Sequence, residues 1–185
     1  MGNIRIIGGR FRGRKLPVLD AEGLRPTTDR VRETVFNWLQ FDIPGTRCLD
    51  VFAGTGALSM EALSRGAASA DLIELNSLSA RQLKNNASLL QLTSCRIFNL
   101  DALKFLSAKN SGECYDLVFL DPPYHRGLLD QAAELLDKNG YLGANALIYV
   151  EYAENEEVML PVSWTLKKSK IAGQCCYNLY QVQSS

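Results

Sequence analysis

From residue 47 to residue 151 the chain alternates short apolar runs with stretches of helical spacing, and that alternation restricts the fold more than any other feature. Strand-like runs stand at Cys48-Leu49-Asp50-Val51-Phe52, Asp71-Leu72-Ile73-Glu74-Leu75, Arg96-Ile97-Phe98-Asn99-Leu100, Asp116-Leu117-Val118-Phe119-Leu120 and residues 146–151. Helix-like stretches at 57–65, 78–91, 102–108 and 127–137 separate them. Parallel neighbours need a crossover of a dozen residues or so, usually a helix, and the helices bury both faces of the sheet. The pattern therefore predicts an α/β fold with a mostly parallel sheet covered on both sides. Residues 163–182 depart from it: two runs flank Ala172-Gly173-Gln174 with little helical periodicity, which predicts a C-terminal antiparallel hairpin at one edge. Upstream, Arg25-Pro26-Thr27-Thr28-Asp29 reads as an extended entry into a helix whose buried face carries Val31, Val35, Trp38 and Leu39.

A chain of 185 residues with 46% hydrophobic side chains has room for one compact domain and excludes a disordered or fibrous protein. No run approaches the roughly 18 unbroken apolar residues of a membrane helix, and no apolar segment follows the first residues as in a signal peptide. A cytoplasmic protein is expected. Its five cysteines show no C-x-x-C pair and its one histidine is His125, so no metal site and no disulfide framework is predicted.

The formal net charge is zero, but it is unevenly spread. Residues 1–32 hold eight basic side chains (Arg5, Arg10, Arg12, Arg14, Lys15, Arg25, Arg30, Arg32) and three acidic ones, which leaves the other 153 residues at −5. The charges interleave with Ile4, Ile6, Ile7, Phe11 and Leu16 and with Gly8, Gly9 and Gly13, the pattern of a folded hairpin rather than a loose tail. Residues 1–26 are therefore expected to form a small basic β-hairpin arm that contacts a polyanion through Arg5, Arg10, Arg12, Arg14, Lys15, Arg25 and Arg30, with residues 27–185 as the main domain. Size and one-sided charge are compatible with a monomer.

Open sheets of this kind bind ligands beyond the carboxyl ends of their strands, and those ends are unusually polar or small here. Gly54 and Gly56 follow the first strand and let the backbone approach a ligand, while Glu74, twenty residues past Gly54, can accept both hydroxyls of a ribose. The third glycine of a dinucleotide fingerprint is lacking, and no G-K-[ST] is present, which disfavours bound pyrophosphate or triphosphate. A ribose-bearing cofactor without phosphate fits, with Asp50 near its cationic part and Asp101-Ala102 near an adenine. At the fourth strand end, Asp121-Pro122-Pro123-Tyr124 combines a carboxylate acceptor, carbonyls fixed by two prolines and a flat ring. Asp121 and the Pro122 carbonyl can accept both N–H bonds of an aromatic amine, freeing its lone pair, while Tyr124 stacks on the base.

Asp50-Val51-Phe52-Ala53-Gly54-Thr55-Gly56 together with Asp121-Pro122-Pro123-Tyr124 resembles the S-adenosylmethionine site and amine-targeting motif of Rossmann-like class I methyltransferases. Ile4-Arg5-Ile6-Ile7-Gly8-Gly9, Gly13-Arg14-Lys15-Leu16, the string from Leu24 to Thr34 and Ala172-Gly173-Gln174 resemble the bacterial RsmD family across nearly the whole chain. That resemblance implies methylation of the exocyclic N2 amine of a guanine in 16S ribosomal RNA or the small ribosomal subunit, with the base flipped out. It further implies that Asp50, Ala53, Gly54 and Gly56 line the methionine end of the cofactor, that Glu74 holds the ribose and Asp101 and Ala102 the adenine, and that Asp121, Pro122 and Tyr124 hold the guanine. Asn76 stands where some relatives carry a carboxylate, and His125, where others carry a second basic residue, is given no catalytic role. An N6-adenine or N4-cytosine amino-methyltransferase, a small-molecule methyltransferase, and a non-catalytic RNA-binding module on the same fold are the competing readings.

Overall fold

The computed structural model describes residues 1–20 and 28–184. Arg25 and the expected boundary between residues 26 and 27 lie outside the described residues. In chain order the elements are β1 (Gly2–Arg5), β2 (Lys15–Val18), α1 (Asp29–Leu39), β3 (Arg47–Asp50), α2 (Ala57–Ser64), β4 (Ser69–Ile73), α3 (Ser77–Leu89), β5 (Cys95–Phe98) and α4 (Ala102–Ser107). They continue with β6 (Tyr115–Leu120), α5 (Leu128–Lys138), β7 (Leu142–Ala153), β8 (Trp164–Ala172) and β9 (Cys175–Val182).

The main sheet has seven strands in the order β5-β4-β3-β6-β7-β9-β8. The first five pair in parallel; β9 pairs antiparallel to β7 and β8 antiparallel to β9. This is the α/β sheet, mostly parallel with a C-terminal antiparallel hairpin, that the alternating pattern predicts. Successive side chains of a strand point to opposite faces, so along β6 Leu117 and Phe119 enter one core and Val118 and Leu120 the other. The first core gathers side chains of α1, α2 and α3; the second gathers those of α4 and α5.

Strand boundaries differ from the sequence expectation by up to four residues, and two of the differences have clear local reasons. β3 stops at Asp50, because Val51 and Phe52 belong to the turn that follows, although they remain apolar and largely buried. β7 starts at Leu142 rather than 146, and its register with β6 jumps between Tyr115 and Leu117. Gly143-Ala144-Asn145 bulges out there, with Asn145 at φ 62°, and reads locally as a turn. At the open edge, β8 is exposed from Thr165 onward and carries Lys167, Lys168 and Lys170, charges that discourage pairing with another sheet. All five cysteines are free thiols, and no described helix is long and apolar enough to cross a membrane.

The N-terminal hairpin, β1 paired with β2, joins the first core: Ile6 and Leu16 are fully buried there, each contributing about 1.5–3 kcal/mol relative to exposure. It lies over α2, every residue of which is buried, and beside α3, where Asn86 donates to the Pro17 carbonyl at 2.9 Å. Glu61 on α2, 0% exposed, ties the parts together. Its carboxylate accepts from the backbone of Ile7 (2.9 Å) and Gly8 (2.8 Å) and from Arg65 (2.8 Å), and Arg32 of α1 lies 3.5 Å away. Gly9 permits the close approach. It sits at φ +77°, and a Cβ there would lie 1.9 Å from the Ser64 carbonyl oxygen that accepts from Arg10.

Candidate active site

Strand order reverses beside β3, where the chain has moved outward to β4 and β5 and returns on the other side as β6. Such a switch point leaves a crevice beyond the strand ends, and a cavity of about 620 Å³ opens there. Asp50, Ala53, Gly54, Glu74, Asp101 and Ala102 line it, together with Asp121, Pro122 and Tyr124 from the end of β6. Residues of the two motifs, some seventy positions apart, thus line one cavity.

The turn after β3 is held open by hydrogen bonds to its neighbours. Gly54 N–H donates to Glu74 Oε2 at 2.7 Å, and Asn76 N–H donates to Glu74 Oε1 at 2.8 Å. Each carboxylate oxygen keeps further acceptor capacity for a hydroxyl. Gly56 does not line the cavity. It has φ +76°, begins α2, and a Cβ on it would fall 2.5 Å from Leu83 Cδ2, so it shapes the turn from behind. Asn76 caps α3, its side chain accepting from Ser79 N–H at 3.0 Å; an amide oxygen serves that purpose as well as a carboxylate. Asp101 likewise caps α4, accepting from Lys104 N–H at 2.9 Å at the cavity rim.

Asp50 is buried, and Ser59 of α2 donates to it at 2.6 Å. Burial pushes its carboxyl up to about 7, with the Ser59 hydrogen bond opposing the shift and the Glu74 charge adding to it.

At the end of β6, Pro122 is buried, Asp121 is half-buried and Pro123 is exposed. The Tyr124 hydroxyl donates to Glu151 Oε1 at 3.2 Å, with Cys175 Sγ 3.3 Å away from the same hydroxyl. Beyond the ring, a second hollow of about 380 Å³ is bounded by His125, Glu154, Asn155 and Gln174, so Tyr124 separates two spaces. His125 is exposed at φ 58°, and its backbone N–H donates to Glu156. Among the described residues no cluster of three or more His, Cys, Asp or Glu side chains could hold a metal ion.

Sequence reasoning missed Glu151 and Cys175. The signal was present for the first, since Glu151 closes the apolar run Ile148-Tyr149-Val150 just as Asp50 and Asp121 close theirs. Cys175 carries no local signal; the β9 register opposite Ala153 brings it to Tyr124. Arg126 also lines the cavity without having been singled out.

Of the basic side chains, Arg5, Arg10, Arg12, Arg14, Lys15 and Arg30 are exposed. Arg10 lies over the Phe11 ring at 4.4 Å, and Arg14 reaches the Leu89 carbonyl at 3.4 Å. Arg32 is different: 2% exposed and paired with Asp29 and Glu61, it belongs to the interior and not to the charged surface.

The chain matches the family described as "Conserved hypothetical protein 95" over residues 4–181. It is 53% identical over 181 residues to the ribosomal RNA small subunit methyltransferase D of Escherichia coli K12, covering 97% of this chain and 90% of that protein. The Haemophilus influenzae protein of the same name is 49% identical, with 97% and 94% covered. A solved Escherichia coli structure, yhhF, described as a candidate methyltransferase, superposes with a TM-score of 0.92 at 50% identity over the whole of both chains.

Proposed function

The chain belongs to the RsmD family of ribosomal RNA small subunit methyltransferases, and on that premise we propose that it methylates the exocyclic N2 amine of a guanine in 16S ribosomal RNA with S-adenosylmethionine as donor. The observation that carries this reading is the single cavity onto which both Glu74 and Asp121 open. It offers carboxylates for a ribose and a cationic centre at one end and an amine-accepting motif at the other. The cofactor fits the residues present: Asp50, Ala53 and Gly54 face its methionine end, Glu74 its ribose, and Asp101 and Ala102 its adenine, while Gly56 shapes the loop.

When bound, S-adenosylmethionine supplies a methyl group already activated on a sulfonium, so alignment, desolvation and hydrogen bonding fall to the protein. Asp121 and the Pro122 carbonyl accept the two N–H bonds of the guanine amine and direct its lone pair into the cavity. Tyr124 stacks on the base. The methylated nitrogen, cationic and acidic, would release its proton to water, so no strong base is needed. A guanine within structured RNA must be splayed out to reach this point, at roughly a few kcal/mol of unstacking. Phosphate contacts by the basic hairpin offset that cost. Digestion of 16S RNA treated with the protein and donor tests the reading: N2-methylguanosine is expected in the nucleoside mass spectrum, and a methyl group on adenosine or cytidine instead would refute it.

Two results follow from the electrostatics. Asp50 attracts a cation only when ionised, and burial pushes its carboxyl up to about 7 in the free protein. A carboxyl raised in the folded state stabilises the free protein below its unfolded value and loses that contribution as pH rises through 7. The cationic cofactor reverses the preference. Its affinity should climb by up to about tenfold per unit as pH rises toward 7, level off above it, and be accompanied by proton release below it. Calorimetric titrations in buffers of different ionisation heat measure both, and Asp50→Asn should abolish the release.

Neutralising Arg10, Arg12 and Arg14 together should weaken RNA binding and reduce the slope of log affinity against log salt by about 2–3 if each contacts one phosphate. An unchanged slope in salt titrations by filter binding would remove the hairpin from the RNA interface.

A further inference from the structure

A carboxylate outside the two sequence motifs lies directly behind the aromatic wall of the cavity. Glu151 of β7, 7% exposed, accepts from the Tyr124 hydroxyl at 3.2 Å and from Cys175 Sγ at 3.2 Å through Oε1, and from the Tyr149 hydroxyl at 2.9 Å through Oε2. Tyr124 itself belongs to no helix or strand, following Pro122-Pro123 and preceding His125, which is left-handed. Its ring bounds both hollows. The far end of the ring is therefore fastened by β7 and by β9 of the C-terminal hairpin.

We propose that Glu151 is a positioning residue for methyl transfer: by holding the Tyr124 hydroxyl it fixes the plane on which the target base stacks, and so the angle at which the amine meets Asp121. The inference rests on the function proposed above. The β6–β7 register agrees with it, since Leu120 pairs with Val150 and the next residues along are Asp121 and Glu151. Burial, the hydrogen bond with Cys175 and the charges of Glu151 and Asp121 drive the Tyr124 phenol well above its ordinary value, so it stays protonated and donates. Cys175, pushed up to about 12 chiefly by burial, stays a neutral thiol. This arrangement makes Tyr124 a held platform and not a base.

A double-mutant cycle separates this role from mere support of the fold. Tyr124→Phe keeps the ring and removes the fastening; Glu151→Gln keeps the volume and removes an acceptor. Each is expected to lower the single-turnover rate of methyl transfer by about tenfold with cofactor affinity unchanged, and the double variant should be no slower than either alone. Losses that multiply, or a rate unaffected by Tyr124→Phe, would overturn the proposal. If Glu151→Gln does not fold, Tyr124→Phe still decides, because it removes the same hydrogen bond from the solvent-facing side. Wild-type protein that transfers no methyl to guanosine would defeat the function itself, whereas active wild type with unaffected variants would defeat only the positioning role.

Discussion

Asp121→Ala is expected to lower methyl transfer by about 10²–10³-fold while leaving cofactor affinity within about twofold of wild type. The magnitude is that of removing one preorganised polar group from a reacting centre. The separation of the two readouts follows from position. Asp121 directly follows β6, beside Tyr124, whereas Asp50 is the last residue of β3 and Gly54 and Glu74 come from the turns after β3 and β4. Without the carboxylate, the guanine amine keeps its lone pair delocalised into the ring and loses its orientation. Asp121→Asn should fall between, since its oxygen still accepts one N–H while its own amide opposes the other. Transfer and binding are measured separately, by single-turnover labelling and by calorimetry. Parallel loss of both would mean that Asp121 shapes the cofactor site and does not hold the amine.

Glu61→Ala should produce the largest effect on stability. The substitution strips acceptors from Ile7 N–H, Gly8 N–H and Arg65, and leaves the Arg32 guanidinium buried with only Asp29 as its ionic partner among the described residues. Breaking one side of a buried pair costs about 3–5 kcal/mol. In a chain of this size that corresponds to a fall in Tm on the order of 10 °C. The hairpin should also loosen, since the two amides released lie in the segment between its strands. Trypsin should then cut at Arg10, Arg12 and Arg14 faster than in the wild type, and RNA affinity should drop. A Tm within about a degree of wild type would show that hydrophobic contacts alone seat the hairpin.

The network around Glu61 also marks where sequence reasoning stops. Glu61 and Arg65 stand four apart, a spacing that in general suits an ion pair on a helix surface, yet Glu61 is 0% exposed. The cover comes from a hairpin more than fifty residues earlier, and no local pattern announces it. Arg32 suffers the same reversal: counted with the basic segment, it is in fact interior. By contrast, the parallel strands were legible because burial on both faces writes an uninterrupted apolar run, and the start of α1 because Thr28 places an acceptor one turn ahead of the amide it caps. The strand-end rule picked out Asp50, Glu74 and Asp121, and the cavity gathers all three. Applied to the fifth run it would also have found Glu151. Cys175 depended on the register of an antiparallel strand, which the sequence around it does not specify.

The most direct test of the account is transfer of labelled methyl from S-adenosylmethionine to unmodified 16S RNA, to small subunits lacking the modification and to duplex DNA in parallel, each digested to nucleosides. Label in N2-methylguanosine from one or both RNA substrates is the predicted result, and the better substrate identifies the assembly state that is read. Label confined to N6-methyladenine or N4-methylcytosine, or its absence from every substrate while the cofactor binds, would contradict it.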